Sequence, residues 1–247
     1  MINGFLSAVR FLTVLPVFPQ RGIHAKISHA TVYFPLVGLF LGAALYAINV
    51  VCDVMAFPAL LTAVVLVIFL AAATGALHLD GLADTADAFL SGKAKDEMLT
   101  VMRDPHIGTM GVVALISVIA FKIALLYSIT GPLKLAAFVT MCVAGRWAAV
   151  YAMFLFPYAR VYGKAQELIK GMNAKIFIVA TVLACVCVGM AAGLRGLATL
   201  AVVGGFTYIS GNFVRRKIGG ITGDTLGALV ESSEVLALFA LYIGGGN

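Results

Sequence analysis

The sequence predicts an all-α protein: a polytopic bundle of about seven transmembrane helices plus an N-terminal interfacial or re-entrant helix. Three observations carry that prediction. Of 247 residues, 62% are hydrophobic and only 11% are charged, with a mean hydropathy of +1.05. A soluble domain is about half apolar and about a quarter charged. The apolar residues also fall into runs of about twenty, the length a helix needs to cross the hydrocarbon core. Between the runs nothing alternates as a strand would, and an open sheet could not satisfy its backbone in lipid. Together these exclude an ordinary cytosolic enzyme, a disordered regulator and a secreted disulfide scaffold.

The elements follow in order. Asn3 to Leu15 reads as a short helix lying in or dipping into the membrane. Arg10 interrupts its apolar run, Pro16 and Pro19 end it, and no basic segment precedes it, so it does not resemble a cleavable signal. Seven apolar runs then predict spans over Ala30–Val51, Ala59–Leu77, Thr109–Thr130, Leu133–Phe156, Lys175–Gly193, Gly196–Phe213 and Thr225–Ile243. Asp104-Pro105 suits a turn before the third span, and Asp224 suits an N-cap for the last. No linker or internal repeat divides the chain, so residues 1–247 form one membrane-embedded domain.

Basic residues set the orientation. Thirteen lie in the N-terminal region and alternate loops: Arg10, Arg21, Lys26, Lys93, Lys95, Arg103, Arg160, Lys164, Lys170, Lys175, Arg215, Arg216 and Lys217. The opposite loops hold two, Lys134 and Arg195, while Lys122 and Arg146 lie within spans. The N-terminus is therefore expected in the cytoplasm. The net charge of +6 reads as a topology signal, and no nucleic-acid partner is expected. Cys52, Cys142, Cys185 and Cys187 sit in or beside apolar runs without CxxC spacing and read as small hydrophobes. Gly38 and Gly42 form a GxxxG pair in the first span. Packing within the chain is the favoured reading, with a homo-oligomer contact as the alternative.

The placement of the eleven acidic residues is the most informative feature. Asp80, Asp84 and Asp87 fall in His78-Leu79-Asp80-Gly81-Leu82-Ala83-Asp84-Thr85-Ala86-Asp87. At about 100° per residue they lie within roughly 60° of one another on a helix. Three stacked carboxylates repel unless a cation sits among them, and hard oxygen ligands suit Mg²⁺. A solvated helix end is the bland alternative, but Leu79, Leu82, Ala83, Ala86 and Phe89 are apolar neighbours. A second group is Gly219-Gly220-Ile221-Thr222-Gly223-Asp224, followed by Glu231 and Glu234. Glu231 lies about 10 Å along its helix from Asp224, deep enough in a span to suggest function. Its alternative is a structural pairing with Arg146 or Lys122.

A third cluster, Arg103-Asp104-Pro105-His106, sits just before the third span. It offers a cation, a carboxylate and an imidazole, and Arg103 suits a phosphate oxygen. The topology places all three clusters on the cytoplasmic side, interleaved with Arg215, Arg216 and Lys217. Acids crowded beside bases in a membrane-lined cleft suit a metal–phosphate substrate, and phosphoryl transfer is the favoured class.

The blocks HLDGLADTADAF (78–89), MRDPHIGTMG (102–111) and GGITGDTLGALVESSE (219–234) resemble the signatures of the cobalamin synthase family. FLTVLPV near Phe11, FPLVG at Phe34–Gly38, and Tyr158 and Arg160 ahead of Gly163 extend the resemblance over nearly the whole chain. Two departures are that the family often has Arg at the place of Val14 and Ser at the place of Gly145. The resemblance implies an adenosylcobinamide-GDP ribazoletransferase in the cytoplasmic membrane, with its active site facing the cytoplasm. The 3′-hydroxyl of α-ribazole, or of its 5′-phosphate, would attack the phosphorus on the aminopropanol arm of adenosylcobinamide-GDP. GMP would leave, with Mg²⁺ required.

On that reading Asp80, Asp84 and Asp87 hold Mg²⁺. Asp224 and Glu231 bind a second ion or orient the nucleophile, with Glu234 in support. Arg103 and one of Arg215 or Arg216 neutralise the diphosphate, and His78 or a carboxylate, Asp104 among them, takes the hydroxyl proton. His106, Arg146 and Thr222 complete the expected substrate contacts. The alternatives are a CDP-alcohol phosphotransferase of phospholipid synthesis, whose usual pattern Leu82-Ala83-Asp84 does not match, and an ion-coupled transporter.

Overall fold

The computed structural model describes residues 2–15, 27–160, 163 and 165–244. Pro16, Pro19, Arg21, Lys26 and Lys164, used in the expectations above, lie outside the described residues. The described residues are mostly helical: α1 (Ile2–Leu12), α2 (Ile27–Ala30), α3 (Phe34–Val54), α4 (Ala59–Ala73), α5 (Leu77–Leu90) and α6 (Lys95–Val101) come first. They are followed by α7 (Thr109–Ser128), α8 (Leu133–Leu155), α9 (Gln166–Lys170), α10 (Ala174–Ile218) and α11 (Gly223–Gly244). Among the described residues there is no strand; an isolated parallel bridge joins Tyr158 to Ile221. The all-helical expectation holds. Helix α1, about 16 Å long, is too short to cross a bilayer.

Among the described residues five helices are long and apolar enough to span, or six if α4 and α5 count as one bent pair. All seven predicted runs are helical, with two differences. Helix α4 stops at Ala73, four residues before the expected end. Gly75 (φ 59°) and Ala76 (φ 54°) both take left-handed backbone there, and α5 leaves at 89° to α4. At 15 residues, about 22 Å, α4 is short for a full crossing. Helix α10 is 45 residues long and is broken at Gly193 (φ 58°, ψ −139°), a conformation open almost only to glycine. The chain reverses at that point. Trp147 donates to Thr181 Oγ1 at 3.0 Å and also packs on Gly204. Those two residues would lie about 34 Å apart along an unbroken helix. The two limbs match the two predicted spans, and the second runs on to Ile218.

Helix α8 is the hub, and nearly every residue from Ala136 to Met153 is buried. Its small residues, including Ala137, Ala144, Gly145 and Ala148, allow neighbours to approach closely. Gly38 and Gly42 of α3 sit against its backbone so tightly that a Cβ at either would run into Cys142 or Val139. The GxxxG pair is therefore an intrachain contact. Large apolar side chains such as Ile68, Ile116, Phe121, Met190 and Ile209 point outward, as a lipid environment requires.

Candidate active site

The site forms where α5 crosses α11. A Cβ on Gly81 would collide with the Asp224 backbone, and one on Gly227 would crowd His78. This glycine contact lets the two helices touch, bringing Asp80 and Asp84 of α5 to the same cavity wall as Asp224 of α11. The cavity holds about 940 Å³. Arg10 enters its wall from α1, Arg103 from the turn after α6, and Tyr158 and Arg160 from the segment after α8. Phe11, Phe34, Met153 and Leu168 supply apolar wall.

Local backbone pairing sets Arg160 in place. Ile221 N–H donates to the Pro157 carbonyl at 2.8 Å and Ala159 N–H to the Ile221 carbonyl at 2.9 Å. This holds the 157–160 segment beside the start of α11. Arg160 Nη2 then donates to Asp224 Oδ2 at 2.6 Å, while Arg160 Nε is buried without a partner. Thr222 is fully buried and caps α11: its Oγ1 accepts from Thr225 N–H at 3.2 Å and donates to Asp224 Oδ2 at 3.4 Å. Asp224 is thus fixed by its neighbours on the helix end. Burial holds the Tyr158 hydroxyl above its usual value, with Arg160 opposing, so it is a protonated donor at neutral pH.

Asp87 stands apart from Asp80 and Asp84. Its Oδ2 accepts from Gly108 N–H at 2.7 Å and its Oδ1 from Gly111 N–H at 2.8 Å. Both oxygens satisfy orphan donors at the start of α7. One turn beyond Asp84, the same face of α5 has passed the cavity and met the next helix.

Glu231 and Glu234 lie deeper, in a buried four-residue ion cluster. Lys122 Nζ of α7 donates to Glu231 Oε2 at 2.6 Å and to Glu234, while Arg146 of α8 pairs with the other oxygen of Glu234. Two cations face two carboxylates with side chains almost wholly removed from solvent. His78 lines the cavity, is 5% exposed, and has an Nε2 buried without a partner. It stands between the cavity and the ion cluster, within electrostatic reach of Arg146, Glu234 and Lys122.

The remaining candidates are elsewhere. Arg215 and Arg216 are exposed near the end of α10 and are not on the cavity wall. Asp104 and His106 bind each other at the surface, with His106 N–H donating to Asp104 Oδ1 at 3.0 Å and its Nδ1 2.7 Å from the same oxygen. These two contacts hold the Asp104 carboxyl below the usual carboxylate value. Arg10, Tyr158 and Arg160 line the cavity without having been singled out as site residues. Arg10 carries only a topology signal in the sequence, and Arg160 carries the same signal beside its place in the family resemblance. The quoted Tyr158–Arg160–Gly163 match was the one available signal.

Among the described residues no group of three or more His, Cys, Asp or Glu side chains stands close enough to enclose a metal ion. Mg²⁺, however, is usually held by one or two carboxylates together with waters and substrate phosphates. Asp80 and Asp84, one turn apart on one cavity wall, fit that donor set. The cavity's three arginines are matched by its three aspartates, so an incoming diphosphate would lack compensation unless a cation accompanied it.

Three relatives and one family give this geometry its context. A 35% identical protein from Desulforamulus reducens matches over 99% of this chain and 98% of its own length. A 39% identical protein from Roseiflexus sp. matches over 96% and 88%, and a 36% identical protein from Citrobacter koseri over 98% and 100%. All three are named adenosylcobinamide-GDP ribazoletransferase. No solved structure matches the chain. Residues 4–242 match the family described as cobalamin-5-phosphate synthase. With near full-length coverage on every side, the chain belongs to the cobalamin-5-phosphate synthase family.

Proposed function

We propose that this membrane enzyme joins α-ribazole, or its 5′-phosphate, to adenosylcobinamide-GDP with release of GMP, using Mg²⁺, on the cytoplasmic side of the cell membrane. The relatives' names supply the substrates. The observation that carries the reading to this chain is the cavity itself, where Asp80, Asp84 and Asp224 face Arg10, Arg103 and Arg160. The unpartnered Nε of Arg160 is a donor awaiting an acceptor, and a phosphate oxygen is the acceptor that suits a guanidinium best.

Arg10, Arg103 and Arg160 bind the diphosphate and orient its phosphorus. The ribose 3′-hydroxyl oxygen forms a bond to the phosphorus on the aminopropanol arm. The bond from that phosphorus to the bridging oxygen breaks, and its electron pair leaves with GMP. His78 Nε2 or one of the wall carboxylates, Asp80 or Asp224, accepts the hydroxyl proton. Bound Mg²⁺, held by Asp80 and Asp84, would neutralise charge developing on the diphosphate oxygens. Phe11, Phe34, Met153 and Leu168 keep the cavity apolar beyond the phosphates, which disfavours hydrolysis of the activated phosphorus by water.

Asp87 acts one step away by anchoring the start of α7. Glu231, Glu234, Lys122 and Arg146 act by locking α7, α8 and α11 behind His78. Their mutual pairing also accounts for the intramembrane charges that a transporter reading would otherwise use. The test is GMP release by purified protein in detergent, supplied with adenosylcobinamide-GDP and each riboside form, with Mg²⁺ or with EDTA. Release of GMP and a cobalamin product only with Mg²⁺ is expected. No GMP from folded protein with either riboside would overturn the proposal, and CMP release from a CDP-alcohol would favour the phospholipid enzyme.

A further inference from the structure

Helix α5 has a second working face. While Asp80 and Asp84 face the catalytic cavity, Leu82, Thr85, Ala86 and Phe89 line a separate apolar pocket of about 230 Å³. Helix α11 closes it from one side and the last turns of α10 from the other, with Phe206, Ser210 and Phe213 on the wall. Leu226 contributes to both cavities and forms part of the partition between them. Phe213 is 51% exposed and meets Phe89 edge-to-face at 5.8 Å between centroids, making an aromatic lip on the outer surface. The Thr85 hydroxyl is buried without a partner.

The mouth of this pocket is basic. Lys217 Nζ stands 5.8 Å over the Phe213 ring, so an ammonium group sits directly on the lip. Arg215 and Arg216 are exposed on the same final turn of α10. The Lys95 ammonium closes against Gly219, just beyond that turn. The acidic residues of α6 are Asp96 and Glu97, and Glu97 is engaged by the Ala94 N–H that it caps. The site therefore pairs an apolar slot among membrane helices with a cluster of cations at the end of the span. Free α-ribazole brings no phosphate, and its 5′-phosphate sets a hydroxylated sugar between base and phosphate, which an apolar slot opening at the outward-facing Phe213 suits poorly. A phospholipid supplies both halves, an acyl chain for the slot and a phosphate for the cations.

We infer that this pocket binds one anionic phospholipid, its acyl chain entering between Phe89 and Phe213 and its phosphate meeting Lys217 with Arg215 or Arg216. The occupant is separated from the reacting groups by Leu226 and the α5–α11 contact, so the inference does not rest on the reaction proposed above. An acyl chain in the slot would brace α5 against α10 from the side opposite the catalytic aspartates.

Native mass spectrometry of the purified full chain, titrated with phosphatidylglycerol or phosphatidylcholine, tests it. One phosphatidylglycerol should be retained at collision energies that strip the others. Lys217→Glu should lower the preference for phosphatidylglycerol over phosphatidylcholine by at least about fivefold. Ser210→Trp, which fills the slot from its lipid-facing side, should remove retention of both lipids, and thermal unfolding in detergent confirms that each variant is folded. Glycerol 3-phosphate alone should not compete, because it lacks the chain. Equal retention by the wild type and both folded variants would overturn the inference as ordinary annular lipid. Displacement of the lipid by α-ribazole or its 5′-phosphate would overturn it in favour of a substrate pocket.

Discussion

At the scale of single residues, Arg160 and the aspartates divide the work by what each already holds. Arg160 spends one amino group on Asp224 and keeps Nε free, so Arg160→Ala should lower kcat/KM about 100-fold. Its circular dichroism should match the wild type, and Arg160→Lys should recover part of the rate. Asp87 spends both oxygens on the start of α7. Asp87→Ala should therefore cost about 1–2 kcal/mol of stability, measured as a lower thermal midpoint in detergent, with a smaller loss of turnover than any change at Asp84. Sequence spacing alone groups Asp80, Asp84 and Asp87 on one helix face, and that much is true. It does not reveal that the third has left the cavity, because the position of Gly108 is a tertiary fact. Gly145 illustrates the same limit. A Cβ there would lie 2.9 Å from the Glu234 side chain, so the missing Ser gives Glu234 its room.

At the scale of elements, the buried cluster is what joins α7, α8 and α11. Removing one partner strands a charge in a low-dielectric interior, which costs about 3–5 kcal/mol. Glu234→Ala should therefore fail to accumulate as folded protein. Replacing Lys122 with Met and Glu231 with Leu together should fold better than either single change, since an apolar pair of similar size removes both charges. Expression and thermal unfolding of the single and double variants check this, and simple additivity would contradict it. Glu231 at depth was legible as an ionisable residue in a span, and Arg146 or Lys122 as its alternative partners. The hairpin of α10 was also legible, from two apolar runs divided near Gly193. The early end of α4 was marked in the sequence only by Thr74-Gly75, a weak break inside a run that resumes with Ala76 and Leu77, and the left-handed turn at Gly75-Ala76 is seen only in the backbone. Gly193→Ala should cost about 1–3 kcal/mol, read from thermal unfolding, because alanine resists the backbone conformation at the reversal.

At the scale of the whole molecule, a lipid-facing shell surrounds α8 while the aspartates and arginines of the cavity gather at one end of the bundle, where α5 turns aside instead of completing a crossing. Composition and the seven runs were enough to read the shell. The convergence of three sequence-distant blocks on one cavity followed from their charges and from the family resemblance, which also touched Arg160, whereas Arg10 joined it only through the packing of α1. On the function proposed above, this cavity performs the transfer and Asp84 is part of its ion-binding wall. The most direct measurement is Mg²⁺-dependent GMP release from adenosylcobinamide-GDP by Asp84→Ala beside the wild type, both purified in detergent and shown to unfold at similar temperatures. GMP release should be lost in the folded variant. A rate near that of the wild type would contradict it.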